Sequence, residues 1–168
     1  MDLIVKNPRL AVWNKREMRC AVGRNGIISA ADKREGDGKT PAGRWPFREG
    51  FYRADRLSKP VTVLPLRIMQ PDDAWCDVAD DPKYNRHVKL PYATLDERLW
   101  RDDHLYDIVF MLGYNDNPVV AGKGSAIFLH LARPDFGPSA GCVTLECQDL
   151  LTVLREADVN SCVDILSQ

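Results

Sequence analysis

No apolar run in the sequence approaches the roughly 20 residues that a membrane-crossing helix needs, so no such span is expected. Charge of one sign is also missing. The 23 Lys and Arg are balanced by 24 Asp and Glu, giving a net charge of -1, which leaves no basic footprint for nucleic acid and no cationic face for an anionic membrane. The charges interleave, as in Lys33-Arg34-Glu35 and Asp96-Glu97-Arg98, in the manner of a solvated surface. Cysteine is unpatterned: Cys20, Cys76, Cys142, Cys147 and Cys162 are odd in number, contain no C-x-x-C pair and lack paired histidines. A disulfide framework and a zinc site are therefore not expected, and neither is a metal or other cofactor. Reduced thiols point to a reducing compartment. The opening Met1–Asn14 stretch lacks the apolar run and small-residue cleavage site of a secretory leader, so a cytoplasmic place is expected. No repeat, low-complexity stretch or linker divides the chain, and a single domain over residues 1–168 is expected.

What is present reads mainly as strands and turns. Leu3-Ile4-Val5, Arg9 to Asn14 and Met18 to Val22 are short strand patterns separated by turn residues. Lys33 to Gly43 is polar and glycine-rich. It resembles a phosphate loop only loosely, because the wider glycine frame is missing and no apolar strand leads into it. Val61 to Met69 is strand-like but broken by Pro65, and Pro71 to Arg86 reads as a long loop. Ala93 to Arg101 reads as a short helix carrying Leu95, Leu99 and Trp100. Asp107 to Tyr114 and Ala126 to Leu131 are continuous apolar runs, the pattern of buried strands. Glu146 to Ala157 is the clearest helix, with acids in its first turn and Leu150, Leu151 and Leu154 on one face. Cys162 to Leu166 closes as a strand. Short strands, 11 Gly, 11 Pro and one or two short helices make a mainly β fold, a sandwich or barrel-like domain.

The segment His130 to Leu145, HLARPDFGPSAGCVTL, carries the chemistry. His130 follows Ile127-Phe128-Leu129, so a strand can hold the imidazole rigidly. A loop with Pro134, Gly137 and Pro138 then turns the chain back towards Ser139-Ala140-Gly141-Cys142. A free thiol has a pKa near about 8.5 and is mostly protonated at neutral pH. A nearby imidazole can take its proton and later hand it to a leaving amine. Gly141 permits backbone angles closed to other residues. That freedom can aim the amides of Gly141 and Cys142 at a developing oxyanion. A backbone carbonyl would suffice to orient His130. The remaining reading is plain packing of a core histidine and a core cysteine.

Ser139-Ala140-Gly141-Cys142-Val143 resembles the nucleophile motif of the L,D-transpeptidase catalytic-domain (YkuD-like) family, commonly Ser/Thr-His-Gly-Cys. Ile127-Phe128-Leu129-His130 is similar to that family's base-bearing strand. Lys33 to Gly43, Trp75-Cys76-Asp77, Tyr84-Asn85-Arg86 and Gly113-Tyr114-Asn115 resemble elements of a short branch without a signal peptide. Ala140 departs from the motif where a second histidine is common, and Thr144 where arginine or asparagine often follows. The resemblance implies a β-rich catalytic fold, a Cys142 thioester and cleavage of the bond between the L-centre of a peptidoglycan stem's third residue and D-alanine. The partner is then a stem peptide or muropeptide. Either water (L,D-carboxypeptidase, in recycling of cytoplasmic fragments) or an amine (transpeptidase) takes the acyl group. A catalytically silent, peptide-binding β domain is the reading of another class. Arg133 is the first candidate for the substrate carboxylate and Arg86 the second. Ser139, Tyr84, Asn85, Tyr114 and Asn115 are candidate pocket liners. Trp75, Cys20, Cys76, Cys147 and Cys162 are expected to be structural, and His87 and His104 solvated in polar loops.

Overall fold

The computed structural model of the chain describes residues 1–92 and 96–167. The chain opens as an antiparallel meander of β1 (Leu3–Asn7), β2 (Leu10–Trp13) and β3 (Arg16–Ala21). Asn14 and Lys15 join β2 to β3 with φ of 46° and 66°, the two positive values that a tight hairpin turn of the favoured hand requires. A small parallel pair follows, β4 (Ile27–Ile28) with β5 (Thr40–Pro41), and then the long strand β6 (Gly43–Tyr52), with β7 (Leu66–Ile68) parallel to its end. The second half contains β8 (Asp73–Cys76), β9 (Arg86–Lys89), β10 (Asp96–Arg98), β11 (Ile108–Leu112), β12 (Phe128–Leu131), β13 (Val143–Leu145), α1 (Cys147–Glu156) and β14 (Cys162–Ile165).

β6 pairs with β14 through its first half and with β11 through its second. That double pairing closes the main sheet into a mixed eight-stranded barrel, in the order β11-β12-β13-β3-β2-β1-β14-β6 and back to β11. Closure leaves the barrel without a free sheet edge. Alternation along the wall separates two cores. Phe110, Leu129, Val143, Leu145 and Val163 point inward, where Leu150, Val153 and Leu154 of α1 pack on them. Phe51, Val109, Met111 and Phe128 point outward, into a second cluster with Met69, Leu99 and Tyr106. Strands covered on both faces read as unbroken apolar runs, as Asp107 to Tyr114 does. The separate sheet β10-β8-β9 lies over this outer face, with Trp75 edge-on to Phe128 at 5.5 Å.

The structure corrects two expectations and adds a strand that the sequence did not announce. The helix expected over Ala93 to Arg101 is absent where it can be described. Residues 93–95 lie outside the described residues, and Asp96–Arg98 is strand β10, paired to β8. The described residues thus contain one helix, α1. The expected loop Pro71 to Arg86 contains β8 and the start of β9. These strands are only four residues each, and the turn residues at their ends hide them. The longest strand, β6, lies in a stretch that carries no strand pattern, because Gly43, Pro46 and Gly50 interrupt it. Gly50 is there for space: a Cβ would sit 2.6 Å from Cε1 and Cε2 of the buried Phe110 ring. Gly50→Ala is expected to lower stability by about 1–3 kcal/mol through overpacking. Urea unfolding checks this, and an unchanged midpoint would contradict the packing described.

Candidate active site

β12 and β13 run parallel, with Leu129 opposite Val143 and His130 opposite Thr144. Side chains alternate along a strand, so Phe128, His130, Cys142 and Thr144 share the outer face of the barrel wall. His130 and Cys142 stand on that face diagonally, and both line one cleft. The imidazole is fixed from behind. Its Nδ1 lies 2.9 Å from the Leu131 carbonyl, which can only accept, so Nδ1 carries the proton and Nε2 keeps its lone pair. Tyr106 packs edge-on to the ring at 4.9 Å, and its hydroxyl donates to Glu97 at 2.9 Å.

The loop bearing Cys142 is pinned on two sides. The chain beyond β3 pairs with it: Arg24 N donates to Ser139 O at 2.9 Å, and Ser139 N to Val22 O at 2.9 Å. From β5, the buried Thr40 hydroxyl donates to Gly141 O at 2.8 Å and accepts from Gly23 N at 2.8 Å. Gly141 has φ of 152°, and a Cβ there would press on the Lys39 carbonyl at 3.0 Å, so only glycine fits. Ser139 Oγ donates to Cys142 O at 2.6 Å and accepts from Gly141 N at 3.0 Å. That last bond differs from the expected oxyanion pair, since the Gly141 amide is already engaged. The Cys142 thiol donates to Ala126 O at 3.2 Å. Ala126 holds a left-handed φ of 53°, and its amide donates to the Asn85 side chain at 3.1 Å.

Electrostatics set the resting state of the pair. Burial pushes the Cys142 thiol up to about 12, with the Phe128 amide opposing and Glu97 adding to the rise. Burial also drives His130 down to about 4, although the Leu131 and Leu105 carbonyls favour a ring proton. Both groups are neutral near pH 7. Proton transfer therefore accompanies attack rather than preceding it as a standing thiolate–imidazolium pair. Cys142 stands between two hollows. One, of about 260 Å³, contains His130, Arg101, Arg133 and Thr144. The other, of about 230 Å³, contains Arg24, Lys33, Glu35 and Asp77. Glu97, Tyr106 and Ala140 border both. Larger hollows of about 560 and 750 Å³ run beside α1 and reach neither His130 nor Cys142. The start of α1 borders those hollows through Cys147, so the helix N-terminus does not face the catalytic sulfur.

Of the candidate liners, Arg133 and Ser139 border the cleft with the pair. The others are elsewhere. Asn85 is buried and fully used, accepting from Trp75 Nε1 at 2.9 Å and donating to Tyr114 O and Asn115 O at 3.1 and 2.8 Å. The Tyr84 hydroxyl donates to Glu35, Tyr114 packs edge-on to Trp45 at 5.0 Å, and Asn115 ties its own loop at Val120 and Gly124. Arg86 holds the Asn85 and Asp116 carbonyls away from Cys142. Tyr84, Asn85 and Tyr114 are buried, Asn115 is half-buried and Arg86 is exposed, and none of the five borders either hollow beside Cys142. His87 is likewise no loop residue: it lies on β9, half-buried, 2.7 Å from Asp73 and stacked on Phe51. The exposed His104 is 2.7 Å from Asp107. Glu97, Arg101 and Tyr106 join the site from another segment and carry no motif in the sequence, whereas Thr40 comes from the Lys33 to Gly43 loop and Ala126 opens the apolar run that bears His130. Among the described residues, no cluster of three or more His, Cys, Asp or Glu side chains is placed to hold a metal.

The shifts give a sign. Because His130 titrates near 4 instead of about 6.5, it stays a neutral base down to mildly acidic pH. The acid limb of kcat/KM is then expected below pH 5, with no break at 6 to 7. Alkylation of Cys142 by iodoacetamide, followed by peptide mass, should keep rising through pH 9, because the thiolate fraction still grows there. A plateau above pH 6 would instead reveal a standing ion pair.

With this geometry in hand, the comparisons with known proteins divide. No curated protein and no solved structure gives a match. The sequence does match the YkuD family, described as the L,D-transpeptidase catalytic domain, over residues 3–165. A match over nearly the whole length, covering the barrel and both strands of the His130–Cys142 cleft, shows that the chain belongs to the YkuD family of L,D-transpeptidase catalytic domains.

Proposed function

We propose that the protein is an L,D-carboxypeptidase that releases D-alanine from peptidoglycan tetrapeptide stems through a Cys142 thioester. Family membership implies a cysteine enzyme of the L,D-transpeptidase type acting on such stems. The observation that carries the finer reading is the shared cleft of Cys142 and His130, with Arg101 and Arg133 on the imidazole side. The scissile carbonyl lies over the sulfur. As sulfur attacks, the thiol proton passes to Nε2 of His130, and the departing amine of D-alanine receives it. The D-alanine carboxylate faces Arg133, an exposed cation on the cleft rim, whereas Arg101 is tied to Asp103 at 2.9 and 2.7 Å. Water, at about 55 M, is the default acceptor where no amine site is built. Ala140 supports that reading, since it leaves a methyl group at the border of the two hollows.

The proposal extends to place. Soluble stem fragments returned from the wall are a cytoplasmic substrate, and five cysteines that no disulfide joins suit a reducing compartment. A transpeptidase is the second reading. It is favoured by one observation, the carboxylates Glu35, Asp77 and Glu97 around the hollow on the far side of the sulfur, where an acceptor amine could dock.

A purified tetrapeptide, incubated with the protein with and without an amine acceptor, separates these readings by product mass. Tripeptide should dominate in both; dimers dominating when the amine is present would reject water as the acceptor. Cys142→Ala should release no D-alanine, and release at the normal rate would overturn the enzyme assignment. Arg133→Gln should raise KM roughly tenfold with kcat little changed, the loss of one charge-assisted contact. An unchanged KM would remove Arg133 from carboxylate binding.

A further inference from the structure

Among the described residues, one side-chain polar atom is both buried and without a hydrogen-bond partner: the hydroxyl of Thr144. The residue is 2% exposed. Leaving such a group unpaired costs about 1–3 kcal/mol, so it persists where something outside the protein completes it. Its place indicates what that is. Thr144 is the register partner of His130 across the parallel β12–β13 pair, on the same face, and both border the hollow of about 260 Å³ beside Cys142. Neighbouring strands lie roughly 4.8 Å apart, so opposed residues on one face are neighbours. A water, with a liquid share of about 30 Å³, fits that hollow and needs two to four polar partners. The His130 lone pair and the Thr144 hydroxyl supply two of them.

We infer that Thr144 is a catalytic residue of the second half-reaction, holding the water that His130 activates against the Cys142 thioester. This rests on the thioester reading above and deepens it, because it names the group that selects the acceptor. A hydroxyl sealed this deeply beside the base suits a molecule of water's size and not the branched carbon next to a stem amine. In the step, the water oxygen forms a bond to the thioester carbon as one of its protons passes to His130 Nε2. The carbon–sulfur bond then breaks, the proton on Nε2 returns to the Cys142 sulfur, and the tripeptide leaves with a new carboxyl group. No other reactant is consumed. The Thr144 hydroxyl accepts the second proton of the water as a hydrogen bond and keeps one lone pair of the oxygen turned towards the carbonyl.

The test uses the full-length chain and a purified tetrapeptide. Thr144→Val removes the hydroxyl and keeps the branched shape. Its first turnover, one D-alanine per enzyme, should be as fast as that of the wild type, while steady-state release falls at least tenfold. Intact mass should then show the tripeptide acyl group accumulating on Cys142. Thr144→Ser should restore turnover to within about threefold. Loss of an unpartnered hydroxyl should leave Tm unchanged or raised, which separates this role from a structural one. Should the valine variant fold poorly, Thr144→Ala, also lacking the hydroxyl, carries the same readout. Wild-type turnover in the hydroxyl-free variant, with no acyl-enzyme building up, would overturn the inference alone. A wild-type enzyme that releases no D-alanine from the tetrapeptide would overturn the proposed function as well.

Discussion

The parallel pairing of β12 with β13 is the constraint on which the site depends. It sets His130 and Thr144 opposite one another and brings Cys142, one residue before β13, onto the same outer face. Parallel neighbours cannot be joined by a tight turn. The chain must therefore leave β12, loop out and return, and that loop carries Arg133, Ser139 and Gly141 past the sulfur. The strand register is held by inward residues, Leu129, Val143, Leu131 and Leu145, whose burial inside the barrel would be lost by a one-residue slip. Interior packing thus sets the spacing of two groups that lie on the outside.

Burial on the outer face has a chemical consequence. The second core, with Phe128 and Tyr106 against the pair, removes water from both the thiol and the ring. Each group is driven towards its neutral form, so the reactive state is created only with substrate in place. The surrounding main chain supports this arrangement. The Leu131 carbonyl fixes the proton on the far side of the imidazole, and the Ala126 carbonyl takes the thiol hydrogen. Ala126 is itself kept in a left-handed conformation by the Asn85 amide, a cost sustained by four hydrogen bonds on one side chain.

The parts of this arrangement that are local in sequence were legible before the fold. His130 and Cys142 sit on one strand–loop–strand stretch, and the turn residues between them mark it. Asp107 to Tyr114 reads as a strand because both of its faces are covered. Other parts depend on partners remote along the chain. β6 carries Gly50, whose reason is the Phe110 ring, and Pro46, which lies where the partner strand changes, and neither reason shows in its own pattern. Tyr84, Asn85, Tyr114 and Asn115 look like pocket residues because they are polar and clustered among turns. Their hydrogen bonds run inward, to carbonyls and to Glu35, and that is a property of the closed barrel rather than of their spacing. Thr40 falls in a segment that the sequence marks and Thr144 where the nucleophile motif departs from its common form, but what each hydroxyl faces depends on remote strands.

A neutral thiol and a neutral imidazole bordering one cleft, with the ring proton on Nδ1, are the centre of the site. Nitrogen-15 NMR of the His130 ring across pH 5 to 9 measures this directly. A protonated Nδ1 and an unprotonated Nε2 throughout that range are predicted, with the signals of His87 and His104 assigned by substitution. An imidazolium signature for His130 at pH 6 to 7, lost in Cys142→Ala, would contradict it.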